Sequence, residues 1–543
     1  MKRLFILFAV VVFCGVGCTE VDMNESIENG TTSELPNADE IPNNQIWYTT
    51  TDGEAIDISL ALWNEITNIS AISNVYENGR GVLTFNGDVT TIRDNAFAFN
   101  SGMLTLKGVV MPKTVRHIKH AAFAGCANLE SITFSRDLLT IDDSAFFGCS
   151  SIKSLDFPER LYTIGEMAFY DCSSIEEIIL PESLKSIGNY AFSSCSLRSV
   201  TIPEGVETIN TAAFTSPYLE EFKGKYASED GRCLIVDGVL NSFAPAGLTE
   251  YITPNSATVI GDSAFGGCRN LTNITISEGV TSIGNSAFSA CDGLTSITIP
   301  DSVTEIGSNP FRCANIREFS GKFATDGGRA LIANDIFVAY AQASGGSYTI
   351  PDGVTKIGGS AFEFCANLTD IVICDGVTEI GDSAFLLSGI KSLTIPDSVN
   401  SIGIQTFRRC ESLENITFGA GLQTIGETAF AECYSLKSVT LPDSVEVLDS
   451  WAFCGCFELE TVSIGAGLIH CGEGAFIHCN KLSNVYCKAQ TPPLAYLSNG
   501  FEWTAFDYNA EGRKIYVPVE SVESYRDADG WRNYASDIEG YNF

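Results

Sequence analysis

The sequence contains little histidine and few cations. Four His occur in 543 residues, and 32 Lys plus Arg face 67 Asp plus Glu, so the formal net charge is −35. The HExxH zinc motif, the GxSxG nucleophile elbow and the Walker phosphate loop do not occur in it, so the usual signatures of catalysis are missing. The negative charge disfavours nucleic acid and anionic lipid as partners. We therefore expect a protein that is not an enzyme and has no metal or other cofactor.

Long apolar runs are also scarce. The run at residues 4–13 follows Lys2 and Arg3 and is too short for a bilayer, which takes about 20 residues. We predict a signal peptide at residues 1–17. Small residues directly before Cys18 resemble a bacterial lipoprotein signal, which implies that Cys18 carries a lipid and that the protein is an outer-membrane lipoprotein of the cell envelope, exposed at the surface. That lipid would be its one contact with the membrane. The alternative is ordinary secretion.

Residues 18–45 are polar, acidic and almost free of large apolar side chains. Such a segment cannot bury enough apolar surface to fold. We predict a flexible tether between the anchor and the folded part.

A repeat of 22 or 23 residues fills most of the remaining chain. Its unit reads I-G-x-x-A-F-x-x-C-x-x-L-x-x-I-x-I-P. The repeated phenylalanines are Phe123, Phe146, Phe169, Phe192, Phe214, Phe265, Phe288, Phe311, Phe362, Phe385, Phe407, Phe430, Phe453 and Phe476, with Phe97 and Phe506 as degenerate outer members. Each unit is too small to bury its own apolar face, but stacked units form a continuous core.

The unit predicts one coil of a β-rich solenoid. The I-x-I alternation indicates a short half-buried strand, and the Pro after it ends the strand. We expect the Gly of I-G to adopt a backbone conformation that other residues resist, and the A-F pair to lie inside the coil. The fold class is thus a curved stack of coils of about 23 residues with a parallel strand face.

The ends of the repeat region depart from the unit, as solenoid caps must. Residues 46–96 are predicted to form an N-terminal β cap with a degenerate first repeat, 97–485 the solenoid, and 486–543 a C-terminal αβ cap. In the latter we expect a strand at 514–518 and a short helix, with Tyr525 and Trp531 facing the core.

Two insertions interrupt the period, at 222–251 and 319–348. Each reads as two β-rich runs around a turn, at 236–238 and at 333–335, which indicates a hairpin. Loops on a rigid scaffold often carry binding residues. The candidates are Lys225, Tyr226, Arg232, Lys322, Phe323 and Arg329. The alternative is that the hairpins only close an irregular coil.

The I-G-x-x-A-F-x-x-C-x-x-L unit, the G-K-x-A-x-x-x-G-R-x-L-I insertions and the YVP-x-x-S-V-x-x-Y ending resemble BspA-like leucine-rich-repeat proteins of Bacteroides-type bacteria. The resemblance covers about residues 45–543. It implies a leucine-rich-repeat solenoid that acts in extracellular adhesion or ligand binding. It implies no catalytic residues and names no single ligand.

Eleven of the 19 cysteines stand three residues after a repeat Phe. They are Cys126, Cys149, Cys172, Cys195, Cys268, Cys291, Cys365, Cys410, Cys433, Cys456 and Cys479. A spacing equal to the period predicts one buried thiol per coil, and parallel Cβ vectors suit disulfides poorly. The His470-Cys471 and His478-Cys479 pairs could in principle hold zinc. We disfavour this because both cysteines fall on buried positions of the repeat.

The residue between the last two apolar positions is often Thr, as at Thr275, Thr298, Thr394 and Thr417. One interpretation is a ladder that simply favours β-structure. The other is a flat, polar binding platform.

Three functions remain open. The first is adhesion to a protein of the host matrix or of a cell surface. The second is glycan capture for nutrient uptake, which clustered solvent-facing aromatics would favour. The third is a passive envelope component. The oligomeric state does not follow from the sequence.

Overall fold

The computed structural model describes residues 37–56, 69–98, 104–312, 315–342, 345–495 and 505–543. The predicted signal peptide, Cys18 and residues 18–36 of the tether lie outside the described residues.

Each coil of the solenoid contains two strand segments joined by turns. In one typical coil, a short strand, Ser186–Ile187, leads into the turn that carries Phe192, and a longer strand, Ser199–Ile202, follows. Both kinds of strand pair in parallel with the next coil, Ile187 with Ile209 and Val200 with Phe222. The repeat period therefore sets the register, and equivalent side chains lie above one another, which confirms the predicted solenoid.

An antiparallel sheet precedes the coils. Its strands are Gln45–Thr50, Ala71–Glu77 and Arg80–Phe85, and the first of them also pairs with Leu106–Val110 of the first coils. Pairing with that strand covers an edge that would otherwise expose unpaired backbone groups.

Three large clusters of buried side chains make up most of the core. We call them the first, second and third blocks, and they span residues 46–244, 233–341 and 330–538. In the first block the short strands are Thr91–Ile92, His117–Ile118, Thr140–Ile141, Thr163–Ile164, Ser186–Ile187 and Thr208–Ile209. Its long strands are Leu106–Val110, Ser131–Thr133, Ser199–Ile202 and Glu221–Gly224.

The second block is the smallest. Its short strands are Val259–Ile260, Ser282–Ile283 and Glu305–Ile306, and its long strands are Glu250–Ile252, Asn273–Thr275, Ser296–Ile299 and Glu318–Gly321.

The third block contains the longest ladder. Its short strands are Lys356–Ile357, Glu379–Ile380, Ser401–Ile402, Thr424–Ile425, Val447–Leu448, His470–Cys471 and Leu494–Ala495. Its long strands are Gly346–Thr349, Leu368–Val372, Ser392–Thr394, Asn415–Thr417, Ser438–Thr440, Thr461–Ile464, Asn484–Cys487, Lys514–Pro518 and Ile538–Tyr541.

Within the ranges that the structure describes, helical structure is confined to short segments. The α-helix Val522–Asp527 follows the strand Lys514–Pro518, and Tyr525 and Trp531 are both fully buried. The 3₁₀ segments are Ala38–Glu40, Asp326–Gly328, Val519–Ser521 and Trp531–Tyr534. The strand Ile538–Tyr541, which pairs in parallel with Lys514–Pro518, has no counterpart in the repeat unit and was not predicted.

Both insertions contain the predicted hairpins. The first consists of Cys233–Val236 and Val239–Phe243, and the second of Ala330–Ala333 and Ile336–Tyr340, with an added strand at Ala324–Thr325. The first turn has positive φ at Asp237 and Gly238, as a tight hairpin of these strands needs.

Each hairpin is itself an extra coil. Val239–Phe243 occupies the place of a short strand and pairs in parallel with Val259–Ile260. Its Phe243 packs on Phe265 with ring centroids 4.7 Å apart, so the aromatic column of the second block begins at the hairpin. The insertions therefore join the blocks as part of the stack.

The repeat glycines differ from the sequence prediction. A Cβ on Gly165 would lie 2.6 Å from the amide nitrogen of Asp143 in the preceding coil, so this glycine permits a close approach of two backbones. The left-handed backbone lies two residues later, at Met167, with φ 52°. Our prediction of an unusual conformation at the glycine itself was wrong, because the sharpest bend falls at the residue before the A-F pair.

Candidate binding surfaces

The predicted threonine row forms an exposed ladder on the long-strand face. Thr275 lies beside Thr298, and Thr394 lies beside Thr417; all of these side chains are exposed. Strand alternation produces this arrangement, because the neighbours on either side of each Thr point into the core.

A second polar row runs beside the threonines in the third block. Ser392 lies beside Asn415, and Ser438 lies beside Thr461. Together the rows form a surface of neutral hydroxyl and amide groups across the strands Ser392–Thr394, Asn415–Thr417, Ser438–Thr440 and Thr461–Ile464, which we call the strand face. Hydroxyl and amide groups can both donate and accept hydrogen bonds, so this surface can bind a partner that carries no complementary charge.

Aromatic rings cluster where the strand face ends. The ring of Tyr486 stacks on Tyr516 with centroids 4.8 Å apart, and Tyr541 contacts both at 5.3 and 5.6 Å. Phe543 lies 5.1 Å beyond Tyr541, and these last two residues are about half exposed. We call Tyr486, Tyr516, Tyr541 and Phe543 the tyrosine cluster. The sequence pattern does not predict this cluster, because the partners of Tyr486 lie on strands of the cap.

The hairpin lysines contact the chain itself. Lys225 Nζ donates to the carbonyls of Glu204 and Val206, at 3.3 and 2.5 Å, and Lys322 Nζ donates to those of Asp301 and Val303, at 3.0 and 2.6 Å. The same ammonium groups lie over the rings that follow them. Nζ of Lys225 is 4.9 Å from the ring centroid of Tyr226, and Nζ of Lys322 is 5.3 Å from that of Phe323.

The hairpin arginines contact residues in the later part of each insertion. Arg232 donates to the carbonyls of Ala244 and Ala246, at 3.2 and 3.0 Å. Arg329 donates to the Tyr340 hydroxyl at 2.7 Å and lies over the ring of Tyr348. These contacts favour a packing role for the four cations, and their predicted role in binding stays a prediction.

The ladder cysteines are buried thiols. Each of Cys149, Cys172 and Cys195 donates to the carbonyl of the repeat Phe in the preceding coil, at 3.1 to 3.2 Å. Burial raises the pKa of Cys126, Cys195 and Cys410 to about 12. A thiol held in its protonated form is a poor nucleophile, so the ladder serves packing.

The histidine–cysteine pairs do not converge. The ring of His478 stacks on Tyr508 at 4.6 Å, whereas Cys471 is fully buried. Within the described ranges, no group of three or more His, Cys, Asp or Glu is placed to hold a metal ion.

Because the coils stack in register, each unit needs the same residues at the same positions. A comparison with families of such units shows to which family the chain belongs. The BspA type leucine-rich-repeat region matches residues 90–220, 240–325, 332–433 and 405–500, in six copies. The chain belongs to the BspA-type leucine-rich-repeat family. These matched segments cover more than half of the chain.

Solved structures of similar proteins come from several bacteria. A leucine-rich cell-surface protein of Faecalibacterium prausnitzii is 23% identical, with 80% of this chain and 89% of that chain covered and a TM-score of 0.34. A leucine-rich-repeat protein of Bacteroides ovatus is 22% identical, with 82% and 90% covered and a TM-score of 0.28. The pneumococcal vaccine antigen PcpA is 18% identical, with 76% and 86% covered and a TM-score of 0.41.

A comparison with curated protein sequences gives no match. Across the part of the chain that the structure describes, no helix has the length and apolar character to span a membrane.

Proposed function

We propose that this BspA-type protein is a non-enzymatic binding protein of the bacterial cell surface, with an adhesion role. Its partner is a protein of the host or of a neighbouring cell. The observation that carries the proposal is the strand face: a chain with a net charge of −35 presents two rows of uncharged polar side chains there. Repeat solenoids commonly bind large partners on such extended surfaces.

The test is binding of the chain to immobilised host matrix proteins and mucins by surface plasmon resonance. A double variant, Thr394→Lys with Thr417→Lys, places charge on the strand face. The matched control is Thr378→Lys with Asn400→Lys, which changes exposed residues of neighbouring coils away from that face. We expect the first variant to bind about tenfold more weakly and the control to bind as the parent does. Equal binding by both variants, or no binding by the parent, would contradict the proposal.

A lipid anchor at Cys18 is part of the proposal. The apolar run 4–13 and the small residues before Cys18 support it. In the native host, Cys18→Ala should move the protein from the membrane fraction to the soluble fraction. A membrane-bound variant would rule out this anchor.

Glycan capture is the second candidate function, and the tyrosine cluster favours it. Tyrosine offers an apolar ring together with a hydroxyl, which suits a sugar with its carbon face and its hydroxyls. The row neighbour of Tyr486 on the other side is Ser463, whose short side chain does not reach across the ring. Loss of glycan binding in Tyr486→Ala, with binding retained in the exposed-residue control Tyr162→Ala, would support this function.

A further inference from the structure

The junction between the first and second blocks contains a cleft of about 750 Å³. One wall comes from turns of the first block, at residues 170, 173, 194–196, 215, 217 and 218. The other wall comes from turns of the second block, at 263–270 and 286–290. Binding pockets for small ligands usually have volumes of roughly 300–1,000 Å³, so this space is large enough for one.

The cleft arises because the first hairpin coil lacks a turn. In ordinary coils the turn after the Phe bonds to the next one, as where Ser194 N–H donates to the Thr215 carbonyl. The hairpin coil proceeds from Phe243 directly to Ala244 and Pro245, and the N–H of Phe214 meets the Ser242 hydroxyl instead of a backbone carbonyl, at 3.4 Å. The turn layer therefore has a gap one coil wide.

The walls present polar groups that the protein does not use. Six lining residues are Ser173, Ser194, Ser286, Ser289, Asn270 and Tyr218. Within the described chain, no hydrogen bond of their side chains to another residue is found, although other wall residues are paired: Ser263 Oγ lies 3.2 Å from Tyr190 Oη. Hydroxyl and amide groups that face a cleft in this way can donate to and accept from a ligand rich in hydroxyls.

The charge of the cleft is also distinctive. The chain has 67 acidic residues, but the lining contains no carboxylate, and its one cation is Arg269. Arg269 Nε lies 3.7 Å from a carboxylate oxygen of Asp292, so its charge is partly balanced. At the mouth, Tyr218 is 55% exposed and offers a ring surface against which a sugar ring can pack.

We propose that this junction cleft binds a neutral oligosaccharide. Its hydroxyls would replace the water on the serine and asparagine side chains, and Tyr218 would cover one sugar face. A neutral sugar is favoured over an acidic one because the field of the whole chain repels anions. The inference rests on the glycan form of the proposed function and assigns it a second site, separate from the tyrosine cluster.

The experiment applies the full chain to an array of immobilised neutral and acidic oligosaccharides, followed by calorimetric titration with the best neutral binder. The variants are Tyr218→Ala, which removes the ring, and Ser286→Trp, which fills the cleft. Tyr162→Ala is the matched control because Tyr162 is another exposed tyrosine, and Tyr486→Ala reports on the tyrosine cluster. Thermal unfolding verifies that each variant folds.

We expect saturable binding of a neutral oligosaccharide that weakens about tenfold or more in Tyr218→Ala, is lost in Ser286→Trp and is unchanged in Tyr162→Ala. Binding that depends on Tyr486 but not on Tyr218 or Ser286 would overturn this inference and leave glycan capture standing. Binding of acidic oligosaccharides alone would overturn the assigned ligand class. No binding to the array would remove both the inference and the glycan function.

Discussion

The thiol of Cys149 donates a hydrogen bond to the main-chain carbonyl of Phe123, one coil earlier, with a sulfur–oxygen distance of 3.1 Å. The ring of Phe123 in turn stacks on Phe146 at 5.0 Å. One unit therefore supplies both the thiol and the ring that its neighbours use. This relation explains why Phe and Cys recur with the same period.

The ladder thiols are expected to resist alkylation in the native protein. Burial raises the pKa of Cys126 and Cys195 to about 12, so almost no thiolate is present at mildly alkaline pH. Iodoacetamide labelling followed by peptide mass spectrometry measures this. The partly exposed Cys374 is the internal control and should be labelled without denaturant. Labelling of Cys149 as fast as Cys374 would contradict the prediction.

Gly165→Ala is expected to destabilise the fold. The added Cβ would lie 2.6 Å from the Asp143 nitrogen, and an overpacked site of this kind costs about 1–3 kcal/mol. Gly279→Ala is the control, because its Cβ would approach nothing closer than 3.7 Å. Denaturant unfolding measures both variants. Equal stability of the two would show that the coils separate easily at this point.

Lys225→Met is expected to lower stability without affecting ligand binding. The ammonium group satisfies two carbonyls of the preceding coil; because the side chain is partly exposed, the loss should be about 1 kcal/mol. The control is Lys153→Met, because Lys153 is an exposed lysine of the first block, outside the strand face. Unchanged unfolding together with lost binding would instead make Lys225 a binding residue.

The stability contribution of Glu363 is expected to depend on pH. This carboxyl is 2% exposed, and Arg312 Nε lies 3.3 Å away. Burial raises its pKa above the ordinary 4.5, although Arg312 opposes the shift. The folded state therefore holds the proton more tightly than the unfolded state, and the stabilisation is complete below that value and declines as the pH rises through the folded pKa.

Comparison with Glu363→Gln isolates this effect. The stability of the parent relative to the variant should be greatest in acid and should fall towards neutral pH, as measured by thermal unfolding across a pH series. A difference that stays constant or grows with pH would mean that the pairing with Arg312 outweighs burial.

The parts of the fold that the sequence predicted are those that repeat. Phe123 and Phe430 are both fully buried because each occupies the same position of its coil. The hairpin turns were also predictable, since Asp237-Gly238 tolerates positive φ at both residues. The role of Gly165 was not predictable, because the clash of an added Cβ with Asp143 depends on how closely two coils approach.

The binding surfaces were only partly predictable. Alternation along a strand placed Thr394 and Thr417 on the outside, but it could not bring Tyr486, Tyr516 and Tyr541 together, because these residues lie on three strands at irregular spacing. The hairpin cations illustrate the opposite case. Lys225 and Arg232 stand out in the sequence, but their donors are directed at carbonyls of the chain.

The sequence by itself determined the repeat, the buried Phe and Cys columns and the family, because a fixed period places every unit in the same environment. Only the tertiary structure decided where the stack divides into blocks, where the cleft opens and which side chains meet across strands. These features depend on what occupies the neighbouring coil at one particular height of the stack. Where the period breaks, the sequence pattern does not predict which residues of two neighbouring coils contact each other.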